Sequence, residues 1–339
     1  MSRLLFVLDD NYVYPFLMTL GSLAINSNQT NTVILVNIEG WLGDTPLVSP
    51  ESIHVIRKVC DALDLDLEVV TLEVPNTFPS WDLHTYGHIS IAAWAKVIAL
   101  FQLSFEQDEE LIYLDPDTLL LEKFDEVHNL ATDASTSLIA RQTTGHQRFE
   151  NYWSNQRAKS VTQEFMTTDW YFNSGVLKLN SQTWRNHNFW IAWDELIQFP
   201  KKYKLEIVDQ DLLNALVLGN YGRLPVSFNS YPSEYNPDST RIIHFAGGLK
   251  PWYYRHLFSR LHLDEPTRSA MRLWRDNEKR TLGLLQNHTD PELLYKLRIL
   301  RKKIDKNYRF VIIQLFPRIS KSKLALALNV IRKRIRHEI

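Results

Sequence analysis

The chain has 339 residues, 45% hydrophobic and 12% aromatic, with a formal net charge of −1. That length and apolar content predict one large α/β domain, or one domain plus an appendage, and exclude a disordered chain. Cys60 is the only cysteine. A disulfide framework is therefore excluded, and a reducing, cytoplasmic compartment is expected.

The near-zero charge hides an asymmetry. From Lys296 to Ile339 there are 14 Lys and Arg against two acids, Asp305 and Glu338. Of the chain's 38 basic and 39 acidic residues, that leaves 24 and 37 for the preceding stretch. An acidic body with a strongly basic tail is a composition shift that marks a boundary.

Arg3–Leu8 reads as a buried strand running into the polar turn Asp9-Asp10-Asn11-Tyr12. Only five apolar residues lie between Arg3 and Asp9, which is too few for a signal peptide. Phe16–Ile25 fits a helix and Thr32–Ile38 a second strand. Ser49 can cap a helix whose apolar face is Ile53, Ile56, Cys60 and Leu63. Leu67–Leu72 is a third strand and Ile89–Leu103 a helix with Lys96 near its middle. Leu111–Leu114 is a fourth strand, ending at Asp115-Pro116-Asp117. Strands alternating with helices predict a mostly parallel sheet.

Residues 145–168 are polar and aromatic with weak periodicity, and read as a lid or an acceptor-facing loop. Tyr171–Leu179 reads as a strand, Gln182–Ile197 and Asp209–Leu218 as helices, and Arg241–Phe245 as a last strand. In the tail, Leu293, Leu297, Leu300 and Ile304 share one helical face. Leu324, Leu328, Ile331 and Ile335 share another. The apolar run between them, Phe310–Phe316, is far shorter than the roughly 18 to 20 residues that span a bilayer. Basic amphipathic helices of this kind suit an anionic membrane surface.

In an extended segment, residues i and i+2 project to one side. Asp115 and Asp117, at a strand's C-terminal end, can therefore share a hard cation, where open α/β sheets bind ligands. Such a cation would neutralise a diphosphate leaving group. The stretch His244-Phe245-Ala246-Gly247-Gly248-Leu249-Lys250-Pro251-Trp252 offers a third ligand, glycines that let backbone N–H groups approach phosphate, and a cation at Lys250. Asp10 reads as a structural turn residue. Trp170 and Trp252 lie close enough to motifs to serve as sugar platforms.

Five segments in order carry a resemblance: Leu8-Asp9-Asp10-Asn11-Tyr12, His88–Lys96, Tyr113–Asp117, Phe172–Leu177 with Asp209-Gln210-Asp211, and His244–Trp252. Together, over roughly residues 3 to 255, they resemble the family 8 retaining glycosyltransferases, a group that includes glycogenin and bacterial lipooligosaccharide galactosyltransferases. The resemblance implies a GT-A-type nucleotide-sugar-binding α/β fold and transfer of a hexose from UDP-galactose or UDP-glucose to a saccharide. It implies Mn²⁺, with Mg²⁺ as an alternative, held by Asp115, Asp117 and His244. Asp9 and Asn11 match positions that hydrogen-bond uracil and ribose, and Tyr12 a ring that stacks on the base. Gly247 and Lys250 match diphosphate contacts. Lys96, Asn173, Asp209 and Gln210 match positions lining the donor sugar. Gln210 is a poor nucleophile, so front-face attack is favoured, with Asp209 orienting the sugar or else trapping it covalently.

The expected organisation is a catalytic domain over 1–255, a helical extension over 256–295 and a membrane-associating tail over 296–339. The expected acceptor is lipid-linked and the expected location is the inner face of the membrane. One alternative is a Mg²⁺-dependent haloacid dehalogenase-like phosphatase, whose opening motif Asp115–Leu119 also matches. Another is a non-catalytic membrane-associated sugar-nucleotide-binding protein. The tail's sparse aromatics argue against a nucleic-acid partner. No Gly-x-Gly-x-x-Gly follows the first strand, which argues against a dehydrogenase.

Overall fold

The computed structural model of the protein describes residues 2–39, 46–73, 92–103, 110–131, 138–143, 171–180, 208–217, 221–247, 250–252, 263–288 and 291–315. Three parallel strands come first: β1 (Ser2–Val7), β2 (Asn31–Glu39) and β3 (Asp66–Glu73). They alternate with α1 (Val13–Asn26) and α2 (Pro50–Ala62). Ser49 caps α2 as expected, its side chain accepting from Ser52 N. After α3 (Ala92–Gln102), β4 (Glu110–Leu114) pairs parallel with β1, Leu5 opposite Tyr113.

Two further groups complete the architecture. β5 (Thr118–Leu120) stands apart, pairing antiparallel with β9 (Ile242–His244). The main sheet continues through β6 (Leu138–Gln142), β7 (Phe172–Asn180) and β8 (Gly222–Arg223). Its order among the described residues is β3-β2-β1-β4-β7-β6-β8. β7 runs antiparallel to both β4 and β6. Helix α4 (Val208–Val217) lies between β7 and β8 in sequence, and α5 (Glu265–His288) and α6 (Pro291–Leu315) are the last elements among the described residues.

Alternation along the strands splits the core into two layers. Leu4, Phe6, Leu8, Val33 and Leu35 pack with α1, α2, α5 and α6. Leu5, Val7, Ile34, Val36 and Ile38 pack with α3 and α4 on the other face. Strands covered on both faces read as continuous apolar runs, which is why β1, β2 and β4 were legible. Cys60 lies in the first layer, and burial pushes its thiol up to about 12. It is a core residue, not a reactive one.

The C-terminal helices correct one expectation. The boundary at 296 falls inside the continuous helix α6. Leu293, Leu297 and Ile304, expected to face lipid, are buried in the same core layer as α1. Glu278 of α5, almost wholly buried, accepts from Tyr14 Oη of α1 at 2.5 Å and pairs with Arg301 of α6 at 3.4 Å. This first stretch of the tail is thus part of the body. The expected helix at 182–197, the 145–168 segment and the second tail face at 324–335 lie outside the described residues.

Gly21 marks where α1 meets α5. A Cβ there would stand 1.9 Å from Thr281 Oγ1 and 2.3 Å from its Cγ2. Gly21→Ala is expected to destabilise by about 1–3 kcal/mol through overpacking, despite the better helix propensity of Ala. Chemical denaturation measures it.

Candidate active site

β1 and β4 end side by side, so Asp9 and Asp115 leave the sheet at the same edge. Asp115 N donates to Gly175 O of β7 at 2.8 Å. The loop beyond is pinned from α1: Thr19 Oγ1 lies 3.1 Å from Pro116 O and 2.7 Å from Thr118 O. Across the β5–β9 ribbon Thr118 pairs with His244, and Phe245 N donates to Asp117 O at 3.0 Å. Local hydrogen bonding therefore brings a histidine 127 positions beyond Asp117 in sequence against the two acids.

The three side chains converge. His244 Nε2 lies 3.4 Å from Asp115 Oδ2 and 3.4 Å from Asp117 Oδ1. One ligand atom from each lies within 4.8 Å of the others. Asp117 Oδ1 is buried and has no hydrogen-bond partner in the structure. An orphaned buried carboxylate oxygen facing an imidazole nitrogen and a second carboxylate is a donor set for a divalent cation. The site fits a metal.

The electrostatics agree. Burial would push Asp115 up, but Lys96 and His244 hold it far below the usual carboxylate range. Burial likewise opposes ionisation of Asp117, and Lys250 and His244 outweigh it. Burial would lower His244, yet its bonds to the two carboxylates hold it raised. Positive charge is therefore wanted at Nε2, from a proton or from a metal.

Two buried lysines frame this cluster. Lys96 Nζ donates to Asp115 Oδ1 (3.1 Å), Ser174 Oγ (3.1 Å) and Asp209 Oδ2 (3.0 Å). Burial opposes its charge, but Asp115 and Asp209 raise it. Three acceptors use all three of its protons. Lys96 thus joins a metal-side carboxylate to the expected sugar-side one. Tyr113 Oη donates to Asp115 Oδ1 at 2.7 Å, and burial and Asp115 push its phenol well up. Lys250 Nζ donates to Asp117 Oδ2 and, at 2.6 Å, to Phe245 O.

At the mouth, Asp9 Oδ1 accepts from Asn11 N at 2.9 Å, closing a turn that leaves Asn11 exposed. Tyr12 starts α1, its ring 6.2 Å from that of Trp252. Lys250 Nζ lies 5.9 Å from the Tyr12 ring. Asp10 is a structural turn residue, as expected, accepting from Ser49 N at 3.0 Å. Trp252 is buried between Tyr12 and Trp274, so it is core and not an open sugar platform. Gly247 has φ +78°, which favours glycine.

All twelve expected site residues gather at this edge. Asn173 Nδ2 donates to Gln210 Oε1 at 2.9 Å, and Ser174 Oγ to Asp209 Oδ2 at 2.9 Å. Roles for Tyr113 and Ser174 went unread although both lie inside quoted motifs. Asn229, wholly buried and 3.0 Å from His244 Nδ1, lies in no motif. His88 and Trp170 lie outside the described residues.

The family described as glycosyl transferase family 8 matches residues 3–256. The chain belongs to that family. General stress protein A of Bacillus subtilis (strain 168) is 26% identical over 265 residues, covering 72% of this chain and 85% of that protein. Lipopolysaccharide 1,2-glucosyltransferase of Escherichia coli is 25% identical over 179 residues, covering 47% of this chain and half of that protein's length. The crystal structure of galactosyltransferase LgtC with donor and acceptor sugar analogs superposes with a TM-score of 0.58 at 20% identity, covering 87% of this chain and 100% of that one. The fold is thus of the GT-A type, and family 8 membership leaves the phosphatase alternative without support.

Proposed function

We propose that this protein is a retaining hexosyltransferase that takes UDP-galactose or UDP-glucose and glycosylates a lipid-linked saccharide. Its metal is Mn²⁺ (or Mg²⁺) on Asp115, Asp117 and His244. The observation that carries the reading is the buried, unpartnered Asp117 Oδ1 facing His244 Nε2 and Asp115 Oδ2. A bound divalent cation supplies Lewis-acid stabilisation of the leaving diphosphate.

This chain's own residues do the rest. Asp9 and Asn11 bind uridine and Tyr12 stacks on its base. Lys250 and the backbone at Gly247 meet the diphosphate. Asp209, Asn173 and Gln210 orient the sugar, and Lys96 holds Asp115 and Asp209 in fixed relation. The bond from the anomeric carbon to the diphosphate oxygen breaks as the acceptor oxygen bonds on the same face. The acceptor's proton passes to the departing phosphate oxygen. What supports front-face attack is the state of Gln210: its Oε1 already accepts from Asn173 Nδ2 (2.9 Å) and Ser174 N (3.2 Å). Both lone pairs are engaged, so attack by Gln210 would forfeit two buried hydrogen bonds.

A membrane-facing acceptor and an inner-face, cytoplasmic location are part of the proposal. Supporting it, α6 exposes Tyr295 and Ile299 beside the basic Arg298, Lys302 and Lys303. No helix among the described residues is long and apolar enough to cross a membrane.

The test is calorimetric titration of UDP with Mn²⁺, with Mg²⁺ and with EDTA, followed by a screen of UDP-sugars for hydrolysis. UDP should bind only with a divalent cation. UDP binding that ignores EDTA, or no binding in Mn²⁺, overturns the reading.

A further inference from the structure

The amide groups around His244 have a single possible orientation. Gly175 N, a donor by necessity, points at the Asn173 side chain at 3.0 Å, so the atom it meets is Oδ1. Asn229 approaches the same oxygen at 2.9 Å and must present its Nδ2. The other arm of Asn229 is then Oδ1, 3.0 Å from His244 Nδ1. An acceptor there requires Nδ1 to carry a proton, which makes Nε2, the nitrogen facing the two carboxylates, the one that can give up its proton to a metal. In the other direction, Ser174 N, again a fixed donor, meets Gln210 at 3.2 Å and identifies Oε1. Asn173 Nδ2 donates to that same atom, and Gln210 Nε2 donates to Tyr171 Oη at 3.0 Å. Two backbone N–H groups thus set the direction of a chain running from His244 through Asn229, Asn173 and Gln210 to Tyr171.

Asn229 is held rigidly at the centre of this chain. It has no exposed surface. Its backbone O accepts from Arg141 Nη1 at 2.5 Å, and Arg141 is itself paired with Glu234 at 2.6 Å and lies over the Tyr231 ring. An arginine clamp on the main chain leaves the Asn229 amide to serve two side chains.

We infer that Asn229 is a positioning residue that couples the metal ligand His244 to the sugar-side pair Asn173 and Gln210. Its oxygen fixes the His244 tautomer that can bind a metal, and its NH₂ fixes the rotamer that presents Asn173 and Gln210. This rests on the proposed metal site, and it assigns a role to a residue outside the expected motifs. Partners that orient a metal-ligating histidine change metal affinity by about 10–100-fold when lost.

The two arms can be cut separately in the full chain. Asn229→Leu removes both. Asn229→Asp keeps an acceptor for His244 Nδ1–H but offers Asn173 Oδ1 no donor. Mn²⁺ affinity is read without nucleotide by the free-ion EPR signal, and hydrolysis of UDP-glucose and UDP-galactose gives kcat and KM. For Asn229→Leu, Mn²⁺ affinity should fall about 10–100-fold. For Asn229→Asp it should hold at or above wild type. There kcat should fall about 10–100-fold with KM for the donor little changed, because misorientation acts on the reacting geometry. Wild-type Mn²⁺ affinity in Asn229→Leu overturns the inference. So does an equal fall in both variants alongside lower melting temperatures, which marks a merely structural residue. Unchanged kcat in Asn229→Asp overturns the sugar arm. If wild type binds no Mn²⁺, the metal reading fails before any variant is made, and the inference falls with it. If wild type consumes neither donor, the donor reading fails and the metal arm alone decides.

Discussion

Replacing Asp117 with Asn is expected to abolish Mn²⁺-dependent UDP binding and to lower UDP-sugar turnover about a thousandfold. The shape is kept, so the effect isolates charge. Asp117 Oδ1 is, among the described residues, a buried carboxylate oxygen without a hydrogen-bond partner, facing His244 Nε2 at 3.4 Å. The amide lowers the cluster from three carboxylates, Asp115, Asp117 and Asp209, to two, against the lysines Lys96 and Lys250. A divalent cation then meets no net negative site. The fold should lose only about 1–3 kcal/mol, since Lys250 keeps Phe245 O at 2.6 Å and the amide oxygen can still accept. Asp125→Asn is the matched control. Asp125 is as buried, but it accepts from Ser27 Oγ and Asn28 N at the C-terminal end of α1, whereas this chemistry lies at its N-terminal end. Its loss should lower the melting temperature and leave turnover alone. Calorimetry and a donor-hydrolysis assay on both variants decide. An Asp117→Asn protein that turns over normally would sink the metal assignment.

How legible this site was depended on what kind of contact made it. β1, β2 and β4 were readable because strands buried on both faces write unbroken apolar runs. Asp9 and Asp115 follow from them, since each acid simply ends a strand. The ribbon of β5 and β9 was half seen. His244 was expected at a strand end, but β5 is three residues long and carries no period to read. β6 and β8 were missed for the same reason: one is short and ends in Arg141-Gln142, and the other has two residues. Lys96 lies at the same edge as the candidate metal ligands, but its three acceptors come from the end of β4, from β7 and from α4, and helix spacing does not show them. Asn229 was invisible because its stretch, 224–240, is rich in Pro, Ser and Asn and looks like any loop. It becomes a site residue only because Ser230 bridges to Ile243 and carries Asn229 to the histidine. The tail shows the converse. The helical period of Leu293, Leu297 and Ile304 is present in α6, but periodicity does not say whether an apolar face meets lipid or protein. In α6 the buried Leu293, Leu297 and Ile304 answer that for the first half.

Gly175→Ala should damage metal binding through a single added methyl. A Cβ at that position would stand 2.0 Å from His244 Cε1, 2.5 Å from Nδ1 and 2.7 Å from Nε2. No real contact is that short, and the imidazole cannot move freely. It is buried, held by Asn229 on one side and facing two carboxylates on the other. Gly175 cannot retreat either, because its carbonyl is bonded to Asp115 N and its own N–H to Asn173 Oδ1. The ring must therefore tilt, withdrawing Nε2 from the metal position. Mn²⁺ affinity should fall at least about 10–100-fold, and turnover with it. The overpacking itself should cost about 1–3 kcal/mol. Combining Gly175→Ala with His244→Ala separates the two effects. The smaller side chain removes the clash, so the double variant should be more stable than the sum of the single changes predicts, while remaining unable to bind metal. Additive stabilities would mean that the glycine is small for some reason other than the histidine lying over it.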